Sequence, residues 1–274
     1  YQQLFMADNG SNGASEEAIL PLLQAGKTTT SYGTTLFLMA GCNDNKERVK
    51  SATEKGNNTT EGWAGNRMRP DLVQKFFPNN DAPNISAYAM PAAADDDRAL
   101  FDGDGRNVTN GDDENGVKVF TNGFSVCKFN NFKTDGSAGH DSKFPDTDFF
   151  LMRAAEAYLM YAEADARQNG GTTTADGAKY INELRSRAHA TTHTAYSLRQ
   201  ICDEWSREFY FEGLRRTTLI RFGYFGGNVN YNWSWKGGVK NGRNFDAHLN
   251  LFPIPTSDLT ANGNLAQNPG YSSK

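Results

Sequence analysis

The stretch FFLMRAAEAYLMYAEADARQNGG, Phe149–Gly171, decides the fold. Read as a helix, it sets Leu151, Ala154, Ala155, Tyr158, Leu159, Ala162 and Ala166 at i, i+3, i+4, i+7, i+8, i+11 and i+15, one continuous apolar stripe. The Gly170-Gly171 pair stops it. Alanines dominate the stripe, so a neighbouring helix can approach closely. The same stretch carries Glu156, Glu163 and Asp165 between Arg153 and Arg167. A rise of ~1.5 Å per residue separates Glu156 from Glu163 by about 10 Å, beyond the ~5–9.5 Å of a glycosidase carboxylate pair. Adjacent cations lower a carboxyl pKa, the wrong direction for a general acid. The expectation is structural ion pairing along a solvent face.

The segments that follow extend the pattern. Thr173 with Asp176 resembles a capping box opening a second helix that turns Ala178, Ile181, Leu184 and Ala188 inward. Ser197, with Gln200 three residues on, starts a third that buries Leu198, Ile201, Cys202, Trp205 and Phe209 before Gly213. Two helices joined by a short turn form a helical hairpin, the unit of tetratricopeptide-type pairs. Upstream, residues 1–148 are rich in Gly, Asn, Asp and Thr, with short apolar runs such as Leu36-Phe37-Leu38-Met39. They read as long loops around short elements. Downstream of Arg221 comes a loop mixing aromatics with Asn and Gly, then a tail in which Pro253, Pro255 and Pro269 forbid a regular helix or central strand. The expected fold is mainly α, with tetratricopeptide-like helix pairs, long irregular loops and little β. It forms a single domain in three parts: loop-rich 1–148, helical 149–223, and a C-terminal loop and tail, 224–274.

Composition narrows the function. A chain of 274 residues can bury a sizeable core, and its formal charge of -4 with no Lys/Arg cluster argues against nucleic acid. Cys42, Cys127 and Cys202 lie far apart without a CxxC pair, against a thiolate metal site or a dense disulfide framework. No apolar run reaches the ~18–20 residues of a membrane span. The start, YQQLFMADNG, has neither an initiator Met nor a signal-peptide pattern, as expected of the mature or trimmed part of a longer chain.

Four segments in order resemble the SusD/RagB family of outer-membrane glycan-binding lipoproteins: FFLMRAAEAYLMYAEADAR, INELRSRA (Ile181–Ala188), EWSREFYFEGLRRTTLIRFG (Glu204–Gly223) and LFPIPTSDLTANGNLAQNPGY (Leu251–Tyr271). Weaker echoes occur in SYGTTLFLMAG (Ser31–Gly41), EGWAGNRMRPDLV (Glu61–Val73) and DDRALF (Asp96–Phe101). Trp205 stands where the family often has Arg, and Thr218 where an Asp commonly precedes the Leu-Ile-Arg run. The resemblance implies a SusD-like α/α superhelix whose N-terminal helical half is absent from this chain. It implies a surface-exposed lipoprotein of the cell outer membrane that binds oligosaccharide or starch-like polysaccharide without catalysis. The implied partner is a TonB-dependent SusC-like transporter, for nutrient uptake, with membrane contact only through a lipid anchor not present here. Peptide capture, a purely protein-binding scaffold and, more distantly, a glycoside hydrolase are the alternatives.

Sugar binding needs flat aromatic faces for C–H-rich ring faces and polar groups for hydroxyls. The resemblance places the glycan site at Tyr32 and Trp63, with Asn66 and Arg67 as polar neighbours. Tyr231, Trp233 and Trp235, in YNWSWK, form a secondary candidate. No catalytic set emerges. His189 and His193 in HATTH lack the Glu of a zinc HExxH, and the segment reads as a helix exit. The run ADDDRALFDGDGRNVTNGDDEN, Ala94–Asn115, reads as a solvated acidic loop, with calcium the alternative: its best EF-hand register puts Asn107 where Gly is required and lacks the final Glu. No cofactor is expected.

Overall fold

The computed structural model describes residues 1–43, 56–108, 119 and 122–272, and divides into two compact units, Tyr1–Glu212 and Gly213–Lys274. In the first unit a 3-10 turn at Gln2–Phe5 and another at Ala14–Glu17 lead into strand β1, Ala18–Leu22. Short helices follow: α1, Thr34–Ala40; α2, Pro70–Val73; and α3, Met90–Ala94. Strands β2, Phe101–Asp102, and β3, Ser125–Val126, pair antiparallel. Strand β4, Phe149–Arg153, then runs straight into helix α4, Ala154–Gln168; helices α5, Ala175–Arg187, and α6, Leu198–Phe209, complete the unit. The fold is mainly helical with little β, as the pattern implied.

The decisive stretch departs from the expected single helix at its start. Phe149–Arg153 pairs antiparallel with β1, Leu20 opposite Met152 and Pro21 opposite Phe150. Leu151 is therefore exposed on a strand and takes no part in the helical stripe. The ribbon leaves Ile19, Leu20, Leu22, Leu23, Leu151 and Met152 exposed. From Ala155 onward the stripe behaves as expected: Ala155, Leu159, Ala162 and Ala166 are buried. Ala178, Ile181, Leu184 and Ala188 are buried on α5. Its cap sits one residue later than expected: Thr174 Oγ1 accepts the Gly177 N–H at 3.4 Å, while Thr173 Oγ1 accepts the Tyr196 N–H at 3.0 Å. The Ser197–Gln200 capping box forms in full. On α6, Ile201, Cys202, Trp205 and Phe209 are buried, whereas Leu198 is only half-buried.

Around these helices Cys42, Val73, Phe76, Phe77, Met90, Ala99, Phe101, Phe124, Val126 and Tyr210 form one apolar cluster, and Leu4, Phe5, Met39, Phe129 and Phe150 another. The interior is also charged. Glu204 Oε1 lies 2.7 Å from Arg98 Nη1, and Glu204 Oε2 lies 2.8 Å from both Arg185 Nη1 and Arg207 Nη2. Glu208 Oε1 lies 2.6 Å from Arg153 Nη1, and Glu212 binds Arg153 Nε at 2.8 Å and Lys128 Nζ at 2.6 Å. Arg98, Arg153, Glu204 and Glu208 are fully buried. The expectation of pairing along a solvent face is thus corrected at Arg153, which reaches into the core from the end of β4. Glu163 does pair with Arg167, at 2.9 Å, but its carboxylate is itself buried.

The second unit carries helix α7, Arg215–Arg221, and helix α8, Thr256–Ala261, separated by loops and two 3-10 turns. Its loops are held by side chains: Lys236 Nζ donates to the Tyr231 carbonyl at 2.9 Å and the Phe225 carbonyl at 3.1 Å, and Arg216 lies 3.8 Å over the Phe252 ring. All three cysteines are free thiols, and among the described residues no helix is long and apolar enough to cross a membrane.

Candidate functional site

The end of α1 positions the aromatic face. Leu36, Met39 and Ala40 point into the core, which turns Phe37 outward. The chain at Trp63–Asn66 then runs along the exit of this helix. Trp63 N–H donates to the Ala40 carbonyl at 2.9 Å, Ala64 N–H to Asn43 at 2.8 Å and Asn66 N–H to Gly41 at 2.8 Å. The approach is so close that a Cβ at Gly41 would come within 2.3 Å of the Asn66 amide. Arg67 Nη1 donates to the carbonyls of Cys42 at 2.9 Å and Asn66 at 2.8 Å. Asn66 and Arg67 therefore sit beside the aromatic face as clamps that hold the Trp63 loop on α1.

A third segment closes the site from far along the chain. Asp141 Oδ1 accepts the N–H groups of Lys143 at 2.7 Å and Phe144 at 2.9 Å, and these bonds hold its carboxyl below the usual carboxylate range. Thr60 N–H donates to the Ser142 carbonyl at 2.8 Å, tying this turn to the strand-like run before Trp63.

These three segments gather Tyr32, Phe37 and Trp63 on one surface. The Trp63 ring lies 6.3 Å from Tyr32, at 33° between planes, and 6.2 Å from Phe37. Phe144 meets Tyr32 edge-on at 5.5 Å. Solvent reaches 56% of Tyr32, 50% of Phe37 and 36% of Trp63, large values for aromatic side chains that touch one another. Two charged groups link the rings. Glu61 Oε2 accepts the Trp63 indole N–H at 2.9 Å, and Glu61 Oε1 lies 3.3 Å from Lys143 Nζ. Lys143 Nζ in turn lies 4.7 Å over the Tyr32 ring. Hydrogen bonds to Tyr32 and Glu61 push its ammonium pKa up, keeping it charged. Among the described residues the surface offers broad π faces with the Glu61 carboxylate and the Lys143 ammonium at their border.

The structure brings the Tyr32 and Trp63 rings to 6.3 Å and sets Phe37, Glu61, Lys143 and Phe144 around them. Phe37 could have been found, because a helix burying Leu36, Met39 and Ala40 must expose position 37. Nothing in the sequence points to Lys143 or Phe144. The secondary candidates in the second unit differ in burial: Tyr231 is buried, and Trp233 and Trp235 are half-buried. Tyr231 is buried, stacks on Tyr224 at 4.7 Å and 10°, and accepts a hydrogen bond from Arg215 at 2.7 Å. Trp233 is half-buried with Lys236 Nζ 4.7 Å over its ring, and Trp235, at φ 65°, turns the loop into Lys236. Tyr231 and Trp233 thus help to hold the loop around Lys236.

The His189 and His193 rings go separate ways, His189 Nδ1 to Asp97 at 2.7 Å and the His193 ring edge-on to Tyr196 at 5.4 Å. In the acidic run, Asp102 binds Arg106 at 3.4 Å, and residues 109–118, which carry much of the calcium expectation, lie outside the described residues. Among the described residues no three His, Cys, Asp or Glu side chains gather as a metal site.

Comparison with known proteins bears on this arrangement. Residues 102–271 match the model of the SusD family. The chain is 41% identical to the starch-binding protein SusD of Bacteroides thetaiotaomicron across 99% of its own length and 52% of that protein. It spans about half the length of that relative. A solved SusD superfamily protein from Bacteroides vulgatus aligns with a TM-score of 0.61 at 20% identity, covering 99% of this chain and 49% of that one. The surface glycan-binding protein A of Bacteroides thetaiotaomicron, solved with laminarihexaose, aligns at a TM-score of 0.56 and 18% identity, over 96% and 54% of the two chains.

Proposed function

The chain belongs to the SusD family, and on that premise we propose that it binds oligosaccharides through the aromatic face of Tyr32, Phe37 and Trp63. The observation that carries this reading is the exposure of three adjoining rings in one place. Sugar rings present C–H-rich faces that stack on such planes, and their hydroxyls find partners at the border of the site. Affinity is modest, because a wet, open face gains little after hydroxyls are desolvated. Binding involves no covalent step, so the protein acts as a capture subunit and not as an enzyme. We place it on the cell surface at the outer membrane, anchored by lipid and delivering glycan to a TonB-dependent SusC-like transporter for uptake. The starch-binding relative supports an α-glucan as the first ligand to try.

Isothermal titration with maltohexaose tests the site. Trp63→Ala and Tyr32→Ala should each weaken binding by about tenfold, or roughly 1.4 kcal/mol, while leaving the thermal midpoint within a few degrees. Retained affinity in both variants sinks the assignment. Silence toward every glycan, with peptides bound instead, transfers the site to peptide capture.

A further inference from the structure

Glu61 holds two partners at once, the indole N–H of Trp63 at 2.9 Å and the ammonium of Lys143 at 3.3 Å. Its own backbone is fixed, with the Asn43 amide donating to its carbonyl at 3.1 Å and its N–H donating to Thr59 Oγ1 at 3.3 Å. Lys143 is fixed likewise, its N–H on Asp141 and its carbonyl receiving the Thr59 hydroxyl at 3.2 Å. The carboxylate therefore links the edge of Trp63 to the ammonium that lies over Tyr32, at the border where the substituents of a stacked sugar would lie. We infer that Glu61 is a specificity-determining residue of this face: by occupying Lys143 it repels carboxylated glycans and leaves the rings to uncharged ones. This rests on the glycan reading above.

The physical logic is electrostatic. An ammonium beside an aromatic platform attracts a uronate, and a carboxylate bound to it offsets that attraction and adds its own repulsion. Glu61→Gln keeps an oxygen for the Trp63 indole and removes only the charge, so the platform stays in place while Lys143 becomes available.

The test compares maltohexaose with the same oligosaccharide oxidised to carboxylates at its primary hydroxyls, by titration calorimetry at low salt. Glu61→Gln should shift the affinity ratio toward the carboxylated ligand by about two- to fivefold, the range of a half-exposed charge pair. The shift should fade at about 1 M NaCl, where screening is strong. It should vanish in Glu61→Gln combined with Lys143→Gln, whereas Glu61→Asp should restore the original ratio. An unchanged ratio in Glu61→Gln, or a shift that persists in the double variant, overturns the role of Glu61 while neutral binding stands. If wild-type protein and Trp63→Ala are equally inert toward both ligands, the glycan reading falls and this inference with it.

Discussion

At the scale of single residues, the buried carboxylates of the core are held ionised by the guanidinium groups around them. Burial alone would push the Glu208 carboxyl up, but Arg187, Arg153 and Arg98 outweigh it and hold the group far below the usual carboxylate range. Glu204 is held down in the same way, against its burial, by Arg98, Arg207 and Arg185. Lys128 is pulled the other way: burial lowers its pKa to about 8, against the attraction of Glu212. Replacing buried charges together with apolar groups can be harmless, yet removing one partner strands the others. Glu208→Gln should therefore destabilise the protein by about 3–5 kcal/mol at neutral pH, read from urea denaturation. The folded-state pKa of Glu208 lies below its ordinary 4.5, so its contribution is complete above 4.5 and is lost as pH falls toward the folded value. The gap between wild type and Glu208→Gln should accordingly narrow below pH 4.5. A gap that widens on acidification would refute this account.

Between elements, the contact of α4 with α5 depends on a missing side chain. A Cβ at Gly177 would lie 2.2 Å from Asp165 Oδ2, and that carboxylate is pinned by the Thr174 N–H at 2.7 Å and the Thr174 hydroxyl at 2.9 Å. Alanine normally gains about 1 kcal/mol over glycine inside a helix. Here Gly177→Ala should lose about 1–3 kcal/mol to overpacking, a sign reversal that chemical denaturation would register. The alanine stripe of α4 is legible in the sequence, as are the Ser197 cap and the inward positions of α5, whereas the close approach at Gly177 is not. Strand β4 was not: FFLMR continues the helical period of the residues after it, and its partner AILPL lies about 130 residues upstream with Pro21 in its middle. Arg153 departs from the expected solvent-face pairing for the same reason, since it ends the strand and reaches Glu208 and Glu212 in the core. The displacement of the α5 cap from Thr173 to Thr174 follows from Thr173 being engaged by the chain entering α6.

For the whole molecule, the candidate site draws on three stretches separated by dozens of residues, around Tyr32, Trp63 and Lys143. Aromatic loops flanked by Gly suggested the first two, with family likeness; the third is set by an Asp141 turn whose spatial neighbours no local pattern reveals. In the Trp-rich loop of the second unit the aromatic composition is legible in the sequence, but the burial of Tyr231 is not, because it depends on Lys236 reaching the Tyr231 carbonyl. The β1–β4 ribbon bears on how the protein behaves in concentrated solution. Ile19, Leu20, Leu22 and Leu23 are exposed and apolar, the composition from which cross-β fibrils nucleate. Pro21 interrupts that run with a residue that has no N–H to offer an incoming strand, and so acts as a gatekeeper against self-association. Pro21→Val should shorten the lag before thioflavin-positive fibrils form on gentle heating, and a lag as long as wild type would show that the ribbon is guarded by something else.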